Sequence, residues 1–197
     1  YMENPRKTIL FSPRMNGVYI EISDGNSELS QSYAFGLMFD RNDPNTPPKE
    51  FIKTKSGFGP KSQKVKFRNW LTDGSFCMIR SNNDKKIDCW SQDQSLESIL
   101  IDRSIESAEL ATKKNRMVVS EKGAGNLALI DLDVLLKKLK KNNSSKMKFE
   151  PEWFKVTTQW DKPLLPHFTR LLISPEGRFL GATMNAHTYH LDTQIFD

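Results

Sequence analysis

Short apolar runs separated by polar stretches make up most of this chain. Runs of four to six residues rich in Val, Ile, Phe, Tyr and Thr alternate with segments that contain Gly, Asn, Asp, Ser and Pro. Such runs favour strands, and the polar segments between them favour turns. The sequence therefore predicts an all-β fold. The predicted strands are Thr8–Phe11, Val18–Ile22, Ala34–Phe39, Lys64–Phe67, Ser75–Arg80, Lys86–Trp90, Glu97–Ile101, Glu106–Ala111, Arg116–Ser120, Asn126–Ile130, Phe154–Gln159, Thr169–Ile173, Phe179–Thr183 and Thr188–Leu191.

A single segment has helical rather than strand periodicity. Four leucines from Leu132 to Leu139 recur at helical spacing, and the polar run Asn142–Ser145 follows them. Apolar residues at this spacing form one face of an amphipathic helix, and a polar run is a typical end signal. The pattern predicts a helix over Leu132–Lys141.

The strands form a weak internal repeat. Each of four segments contains a strand, a tight polar turn, a second strand, a short gap and a third strand. The turns are Ser12–Gly17, Thr72–Gly74, Lys113–Asn115 and Ser174–Gly177. The third strands close at Phe39-Asp40, Cys89-Trp90, Ile130-Asp131 and Leu191-Asp192. Turn and closure lie 15 or 16 positions apart in the last three segments and 23 apart in the first, which favours a repeat architecture.

Three stretches of this repeat resemble WD-repeat proteins. Ser174–Ala182 resembles the turn and second strand of a WD-repeat blade, whereas Lys86–Trp90 and Asn126–Asp131 resemble third strands that end where such repeats carry Trp-Asp. The resemblance implies a β-propeller of four-stranded antiparallel blades. Its blade-like units span approximately residues 5–60, 62–103, 104–161 and 166–197. The family's Gly-His pair is absent and no unit has a complete Trp-Asp dipeptide, so the implied propeller is a divergent one.

The length of 197 residues limits the number of blades. Closed propellers have about 4 to 8 blades of roughly 40 residues each, and this chain supplies at most four. We therefore expect part of a larger ring, or a ring completed by another segment or chain; a single β-rich domain over residues 1–197 is the alternative. The chain begins with Tyr1, which suggests a fragment or a processed chain.

The burial of the last predicted hairpin follows from the propeller. A blade inside a ring is covered on both sides by its neighbours. We therefore expect these residues to be buried: Leu171, Leu172, Ile173, Phe179 and Leu180. Replacing Leu172 with Ala is expected to cost about 2–5 kcal/mol. The four tryptophans are expected in the core: Trp70, Trp90, Trp153 and Trp160.

A lysine cluster is the strongest local charge feature. Lys and Arg number 29 and Asp and Glu 24, a net charge of +5 that by itself identifies no partner. The candidate binding lysines are Lys137, Lys138, Lys140, Lys141, Lys146 and Lys148. We expect them in a basic insertion, 132–148, that forms a mobile loop outside the blade core. Such a loop is suited to binding an acidic protein surface, nucleic-acid phosphates or a nuclear-import receptor. A solvated loop without a partner explains the lysine cluster equally well.

Two other loop segments have less specific signals. Phe58, flanked by Gly57 and Gly59, either anchors a partner or begins an irregular strand. The Pro-containing stretch Arg41–Lys49 is typical of a flexible or extended linker. Only Phe58 is therefore added to the candidate binding residues.

The cysteines and histidines give little support for a metal site. Cys77 and Cys89 lie opposite each other if their hairpin pairs about Asn83, and free cysteines usually behave as small buried hydrophobes. A zinc site would recruit His187 and His190, but paired Cys-x-x-Cys ligands are absent and the His-x-x-His spacing on a strand points the rings to opposite faces. We expect no metal and no cofactor.

The expected compartment is the reducing interior of a cell. Two cysteines are too few for a secreted disulfide framework. No apolar run approaches the roughly 18 residues of a membrane span, so no membrane partner is expected. The chain is then cytoplasmic or nuclear, and the lysine cluster favours the nucleus.

Catalytic motifs are missing from the sequence. There is no Gly-x-Ser-x-Gly elbow and no phosphate-binding Walker loop, and Gly123–Gly125 reads as a hairpin turn. A Cys-His nucleophile pair can be drawn between Cys77 or Cys89 and one of the three histidines, His167, His187 and His190, but histidines near a strand end are more often structural. The predicted function is a non-enzymatic scaffold that binds other protein subunits of an intracellular complex. The alternative is a nucleic-acid-associated protein that uses Lys137–Lys148.

Overall fold

The computed structural model describes residues 5–24, 32–40, 42–43, 45–55, 65–155, 168–186 and 190–196, and the side chains of residues 7–22, 34–40, 42–43, 45–52, 65–155 and 171–181. In chain order the elements are β1 (Pro5–Phe11), β2 (Gly17–Asp24), β3 (Ser32–Met38), β4 (Lys49–Lys55), β5 (Val65–Trp70), β6 (Phe76–Arg80), β7 (Asn83–Trp90), β8 (Leu96–Ile101), β9 (Ile105–Ala111), β10 (Arg116–Glu121), β11 (Asn126–Asp131), α1 (Leu132–Lys141), β12 (Lys146–Phe149), β13 (Trp153–Lys155), β14 (Phe168–Ile173), β15 (Leu180–Ala186) and β16 (His190–Phe196). The predicted helix Leu132–Lys141 is confirmed.

Most strands pair antiparallel with their neighbours in the chain. One four-stranded sheet has the order β1-β2-β3-β4, a second has the order β13-β11-β10-β9, and β14, β15 and β16 form a three-stranded sheet. Up-and-down sheets of four antiparallel strands are the blades of propellers. The fold is therefore all-β and propeller-like, as the sequence predicted.

The chain divides into two compact units. Unit 1 contains Tyr1–Asn83 and Asp88–Leu96, and unit 2 contains Asp84–Ile87 and Glu97–Asp197. Unit 1 includes the β1–β4 sheet and the hairpins formed by β5, β6 and the end of β7. Unit 2 includes the β9–β11 sheet with β13, the parallel pair β8 and β12, helix α1 and the β14–β16 sheet.

Aromatic rings fill the core of unit 1. Tyr19 and Met38 of the first sheet pack with Trp70, Phe76 and Trp90. The rings of Tyr19 and Phe76 stack with centroids 4.8 Å apart, and the ring of Trp70 meets Phe76 edge to face at 5.0 Å. Such geometries stabilise a core beyond the area they bury. Trp70 and Trp90 are therefore core residues, as predicted.

The expectation of a core position is wrong for Trp153. Trp153 is half-buried, and its indole Nε1 donates a hydrogen bond to Asp102 at 3.1 Å while the Arg103 guanidinium lies 5.3 Å from its ring centre. A polar partner at its ring edge explains why it is not fully enclosed. Trp160 lies outside the described residues.

A disulfide joins Cys77 of β6 to Cys89 of β7. The two residues are directly opposed in the hairpin, with Cα atoms 4.1 Å apart, and both side chains are buried. The predicted register is confirmed. The expectation of free cysteines is wrong, because this register brings the two sulfurs within bonding reach. The bond also conflicts with the expected reducing compartment, since disulfides persist mainly in oxidising ones.

The same tight turn recurs in several hairpins. Met15, Gly74, Gln94 and Gly177 have left-handed φ values of 54°, 85°, 67° and 70°. Each donates its N–H to the carbonyl oxygen three residues earlier, over 2.8 to 3.0 Å. Glycine adopts this conformation without the strain of a Cβ atom. A Cβ at Gly74 would in addition lie 2.7 Å from the Asn16 side chain, so the turn requires glycine there.

The last hairpin is buried on one face only. Leu171 packs with Val118 and Leu127 and is buried, with Ile173 and Leu180 half-buried beside it. The expectation that its neighbours are also buried is wrong for Leu172 and Phe179, which are 46% and 47% exposed. Leu172 lies on the opposite face from Leu171, because strand residues alternate between faces, and Phe179 lies just before β15 begins. No described residue fully covers either side chain.

Two strands were missed by the sequence analysis. β4 begins at Lys49 and β12 runs over Lys146–Phe149, and each is an edge strand of its sheet. Edge strands commonly carry lysines, which oppose pairing with other chains and lower the apparent strand propensity. Of the predicted strand Phe154–Gln159, the described part ends at Lys155.

Candidate functional site

Helix α1 presents four of the candidate lysines. Its buried residues are Leu132, Leu135, Leu136 and Leu139. The lysines of the opposite side are exposed: Lys137, Lys138, Lys140 and Lys141. The sequence folds this way because leucines at helical spacing bury one stripe and leave the lysines on the other. The helix is therefore attached to unit 2 by its leucines and displays its lysines to solvent.

Both ends of α1 are capped. The Asp131 carboxylate accepts a hydrogen bond from the backbone N–H of Val134 at 3.1 Å, and Asn142 closes the other end by donating its N–H to the Lys138 and Leu139 carbonyls. Three lysines lie in the last turn, where cations interact favourably with the helix dipole. The caps and the dipole both stabilise the helix that carries the lysines.

Strand β12 presents the other two lysines. It pairs parallel with β8, and Lys146 and Lys148 are exposed while Met147 and Phe149, which alternate with them, are half-buried. The alternation follows from the two-residue period of a strand. The N–H of Ser98 donates to the carbonyl just before this strand at 2.8 Å, which ties the segment to β8. The expectation of a mobile loop outside the core is therefore wrong, because this segment is a helix and a strand with buried leucines.

These six lysines form what we call the lysine surface: Lys137, Lys138, Lys140, Lys141, Lys146 and Lys148. None of them makes an ion pair or side-chain hydrogen bond with a described residue. Other basic residues of unit 2 do. Lys113 contacts Glu176 at 2.7 Å, and Arg103 contacts Glu121 at 2.8 Å. The hydrogen bond to Glu176 raises the pKa of Lys113, and the same bond lowers the pKa of the Glu176 carboxyl. The six ammonium groups of the lysine surface are thus left without an ion-pair partner among the described residues.

A concave region lies in unit 1, where several inter-strand loops meet. Its volume is about 620 Å³. Charged and polar groups of both signs line it, among them Arg14, Asp40, Lys49, Gln92 and Asp93. A mixed and open lining of this kind provides no enclosed apolar pocket for a small molecule.

Most polar groups of this loop cavity already bind their own chain. The Arg14 Nε donates to the Thr72 carbonyl at 3.0 Å, and the Gln92 amide donates to the Asp73 carbonyl at 2.5 Å. The carboxylate of Asp93 accepts hydrogen bonds from neighbouring serines. These contacts hold the loops in place. The cavity therefore ranks below the lysine surface as a binding site.

Several sequence-based candidates are not brought together. Phe58 lies outside the described residues, as do the side chains of His167, His187 and His190. The described residues contain no group of three or more His, Cys, Asp or Glu side chains that could hold a metal ion. Within the same residues, no helix has the length and apolar character needed to cross a bilayer.

Comparison with known proteins supports the fold and gives no family. No protein-family model matches the chain, and no curated protein matches it. A solved structure of prolyl endopeptidases matches 98% of this chain with a TM-score of 0.59 and 14% identity. This chain spans a quarter of the length of that protein, covering 25% of it.

Two fungal structures also match, with lower scores. Sqt1 from Chaetomium thermophilum matches 89% of this chain and is covered over 40% of its length, with 12% identity and a TM-score of 0.43. Hsv2p from Kluyveromyces lactis matches 99% of this chain and is covered over 73%, again with 12% identity and a TM-score of 0.43. The endopeptidase match shows a shared fold, which is propeller-like.

Proposed function

We propose that this chain is a divergent WD-repeat propeller unit that acts as a non-enzymatic scaffold and binds other protein subunits of a complex. The blade-like sheets and the recurring left-handed turns support the WD-repeat part of the proposal. Rigid repeat folds offer broad surfaces, and function resides in the segments that project from them. Further sheets that complete a ring then come from another segment or from a partner chain.

The lysine surface is the observation that carries the proposal. Its six cations lie on a capped helix and a paired strand, and none of them has an ion-pair partner among the described residues. Holding the lysines on a folded element lowers the conformational entropy lost on binding. An acidic surface of a partner protein is the ligand that fits a broad array of separate ammonium groups.

The test is neutralisation of the helix lysines. The variant replaces Lys137, Lys138, Lys140 and Lys141 with Gln. The control makes the same charge change elsewhere, at the exposed residues Lys7, Lys85, Lys114 and Lys155. The probe is a fluorescent poly-glutamate peptide, with affinity measured at two salt concentrations. We expect the helix variant to lose affinity and most of the salt dependence of its binding, and the control to keep both. Thermal stability should change little in either variant, because exposed substitutions usually stay within about 0.5 kcal/mol. Equal loss in the control would overturn the proposal.

A DNA duplex in the same assay separates the protein-binding proposal from a nucleic-acid role. Binding through phosphate contacts weakens steeply with salt. The slope of the logarithm of the binding constant against the logarithm of the salt concentration changes by roughly one unit for each lysine engaged. Tight duplex binding with that slope, together with weak binding of poly-glutamate, would replace the scaffold proposal with the nucleic-acid alternative.

The intracellular setting in this proposal has a separate test. A cytoplasmic or nuclear protein keeps its cysteines as thiols, whereas the structure joins Cys77 to Cys89. Cells are lysed in an alkylating reagent, and the mass of the protein then gives the redox state of its two cysteines. Two alkylated cysteines would support the intracellular setting. An unmodified disulfide would contradict it and indicate that the scaffold acts in an oxidising compartment.

A further inference from the structure

Strand β12 is the outer edge of its sheet. The sheet has the order β12-β8-β7-β6-β5, so β12 pairs with β8 on one side and with no described strand on the other. An edge strand presents backbone N–H and C=O groups with which another chain can pair. An extended segment of a partner protein can therefore add to this sheet as a further strand.

The register of β12 shows which of its backbone groups face outward. Lys146 lies beside Ser98 of β8, and the N–H of Ser98 donates to the Ser145 carbonyl at 2.8 Å. In a parallel ladder only every second residue of a strand bonds to a given neighbour, so Ser145 and Met147 bond to β8. The N–H and C=O groups of Lys146 and Lys148 consequently point away from β8.

Ser144 already occupies the first of these outward positions. Its hydroxyl accepts a hydrogen bond from the Lys146 N–H at 3.3 Å and donates one to the Lys146 carbonyl at 2.7 Å. The hydroxyl thus stands where the main chain of an added strand would bond. The backbone groups of Lys148 have no such partner among the described residues. Lys148 is therefore the position at which an added strand forms its first bonds.

The side chains of β12 differ between its two faces. Lys146 and Lys148 are exposed on one face. Met147 and Phe149 are half-buried on the other, where Met147 lies beside the buried Ile99 of β8. Opposed side chains on neighbouring strands lie about 4.5–5.5 Å apart, and apolar pairs or pairs of opposite charge stabilise the pairing. A strand that fits this edge therefore alternates acidic residues, beside the lysines, with apolar ones.

The charge of this edge selects among strands. Like charges directly opposite each other destabilise a strand pair, so the lysines oppose a second copy of β12 and favour an acidic strand. Three further lysines lie in the last turn of α1, shortly before β12 in the chain. Glu150 follows the strand with the opposite charge, which places the acidic positions of the segment beside Lys146 and Lys148.

We propose that the partner of the lysine surface binds as an extended segment that adds a strand to the outer edge of β12, with Glu or Asp alternating with Val or Ile. The inference rests on the proposed function and deepens it, because it gives the acidic partner a backbone conformation and a pattern of residues. The segment pairs its main chain with Lys148 and replaces the Ser144 hydroxyl at Lys146.

Two fluorescent peptides test the pattern of the segment. In one, Glu and Val alternate, and in the other the same residues form a block of Glu followed by a block of Val. Both carry the same charge. The alternating peptide should bind the full chain about tenfold more tightly, because only it places every carboxylate on the lysine side of an added strand. Equal affinities would contradict the alternation and overturn the proposal.

Two substitutions at Lys148 separate backbone pairing from charge. Lys148→Gln removes the ammonium group, and Lys148→Pro removes the outward N–H as well. Proline is tolerated in an edge strand where the N–H faces solvent, so the bonds to β8 remain. Lys148→Pro should bind the alternating peptide about fivefold or more weakly than Lys148→Gln, because it loses a hydrogen bond to the added strand. Circular dichroism checks that both variants are folded, and equal affinities would overturn the proposal.

Hydrogen exchange of the wild-type chain gives a readout that needs no substitution. Saturating alternating peptide should slow exchange of the Lys148 amide by about tenfold or more, because that amide becomes bonded to the added strand. An unchanged Lys148 amide would overturn the added strand. If poly-glutamate binding still depends on the helix lysines in that case, the proposed function stands without it. Failure of the chain to bind poly-glutamate and both peptides would overturn the two proposals together.

Discussion

The β5–β6 hairpin and the β14–β15 hairpin have the same turn but different surroundings. Each turns through a left-handed glycine, Gly74 in the first and Gly177 in the second. The strand after the first turn is buried on both faces from Phe76 to Ile79, whereas Leu172 and Phe179 of the second hairpin are exposed. Local sequence therefore determines the hairpin, while the layers packed on each side determine its burial and hence the stability that it contributes.

The largest effect is expected in the buried hairpin. Phe76→Ala should destabilise the protein by about 3–5 kcal/mol, because it removes a fully buried ring that contacts Tyr19 and Trp70 and leaves a cavity. Urea unfolding followed by tryptophan fluorescence measures the change. A loss below about 1 kcal/mol would mean that this hairpin is no better packed than the last one.

The disulfide gives the second prediction. Reducing the Cys77–Cys89 bond should lower the free energy of unfolding by about 2–4 kcal/mol, since it removes a constraint on the unfolded chain between residues 12 positions apart. The measurement is urea unfolding with and without reductant. The double variant with both cysteines replaced by Ala is the control, and its stability should not respond to reductant. Equal stability of the oxidised and fully reduced wild type would contradict the prediction.

Alkaline pH should weaken the same core. Burial raises the pKa of the Tyr19 phenol above its ordinary value of 10.0, and the Glu21 carboxylate raises it further. The folded state therefore keeps a proton that the unfolded state releases above pH about 10, so this stability is complete below that pH and is lost as the pH rises, by about 1.4 kcal/mol per unit. Thermal melts at increasing pH should show a steeper decline for the wild type than for Tyr19→Phe, and parallel declines would argue against it.

The exposed side of the last hairpin gives the smallest effect. Leu172→Ala should cost less than about 1 kcal/mol, because the side chain is about half in solvent already. Leu171→Ala, one position earlier and buried, should cost about 2–5 kcal/mol. Denaturant unfolding of the two variants side by side provides the measurement. Equal and large losses would restore the original expectation that both faces are covered.

Local patterns in the sequence were sufficient for the hairpins and the helix. The leucine spacing predicted α1 with its bounds, and the Cys77–Cys89 register followed from the turn position. Both depend on residues close in the chain. The edge strands β4 and β12 were missed, because their lysines mask the alternation of the residues that pack.

The sequence predicted which lysines form the candidate site, but it did not predict that folded structure holds all of them in place. Lysine spacing alone could not show that the lysine surface is fixed, because the anchoring depends on the packing of α1 in unit 2 and on the pairing of β12 with β8. This pairing joins residues some 48 positions apart, as in Lys146 with Ser98. A usable signal was present in the alternation of Lys146 and Lys148 with Met147 and Phe149. Long-range pairing of this kind cannot be deduced from one strand's pattern.

Hydrogen exchange of the α1 amides tests most directly whether the lysine surface rests on folded structure. The leucines of this helix are buried, so the amides from Leu135 to Leu139 should open only with free energies close to that of global unfolding. The four-lysine variant should show the same protection, because its substitutions are on the exposed side. Exchange at the rate of an unstructured peptide would contradict this and return residues 132–148 to a mobile loop.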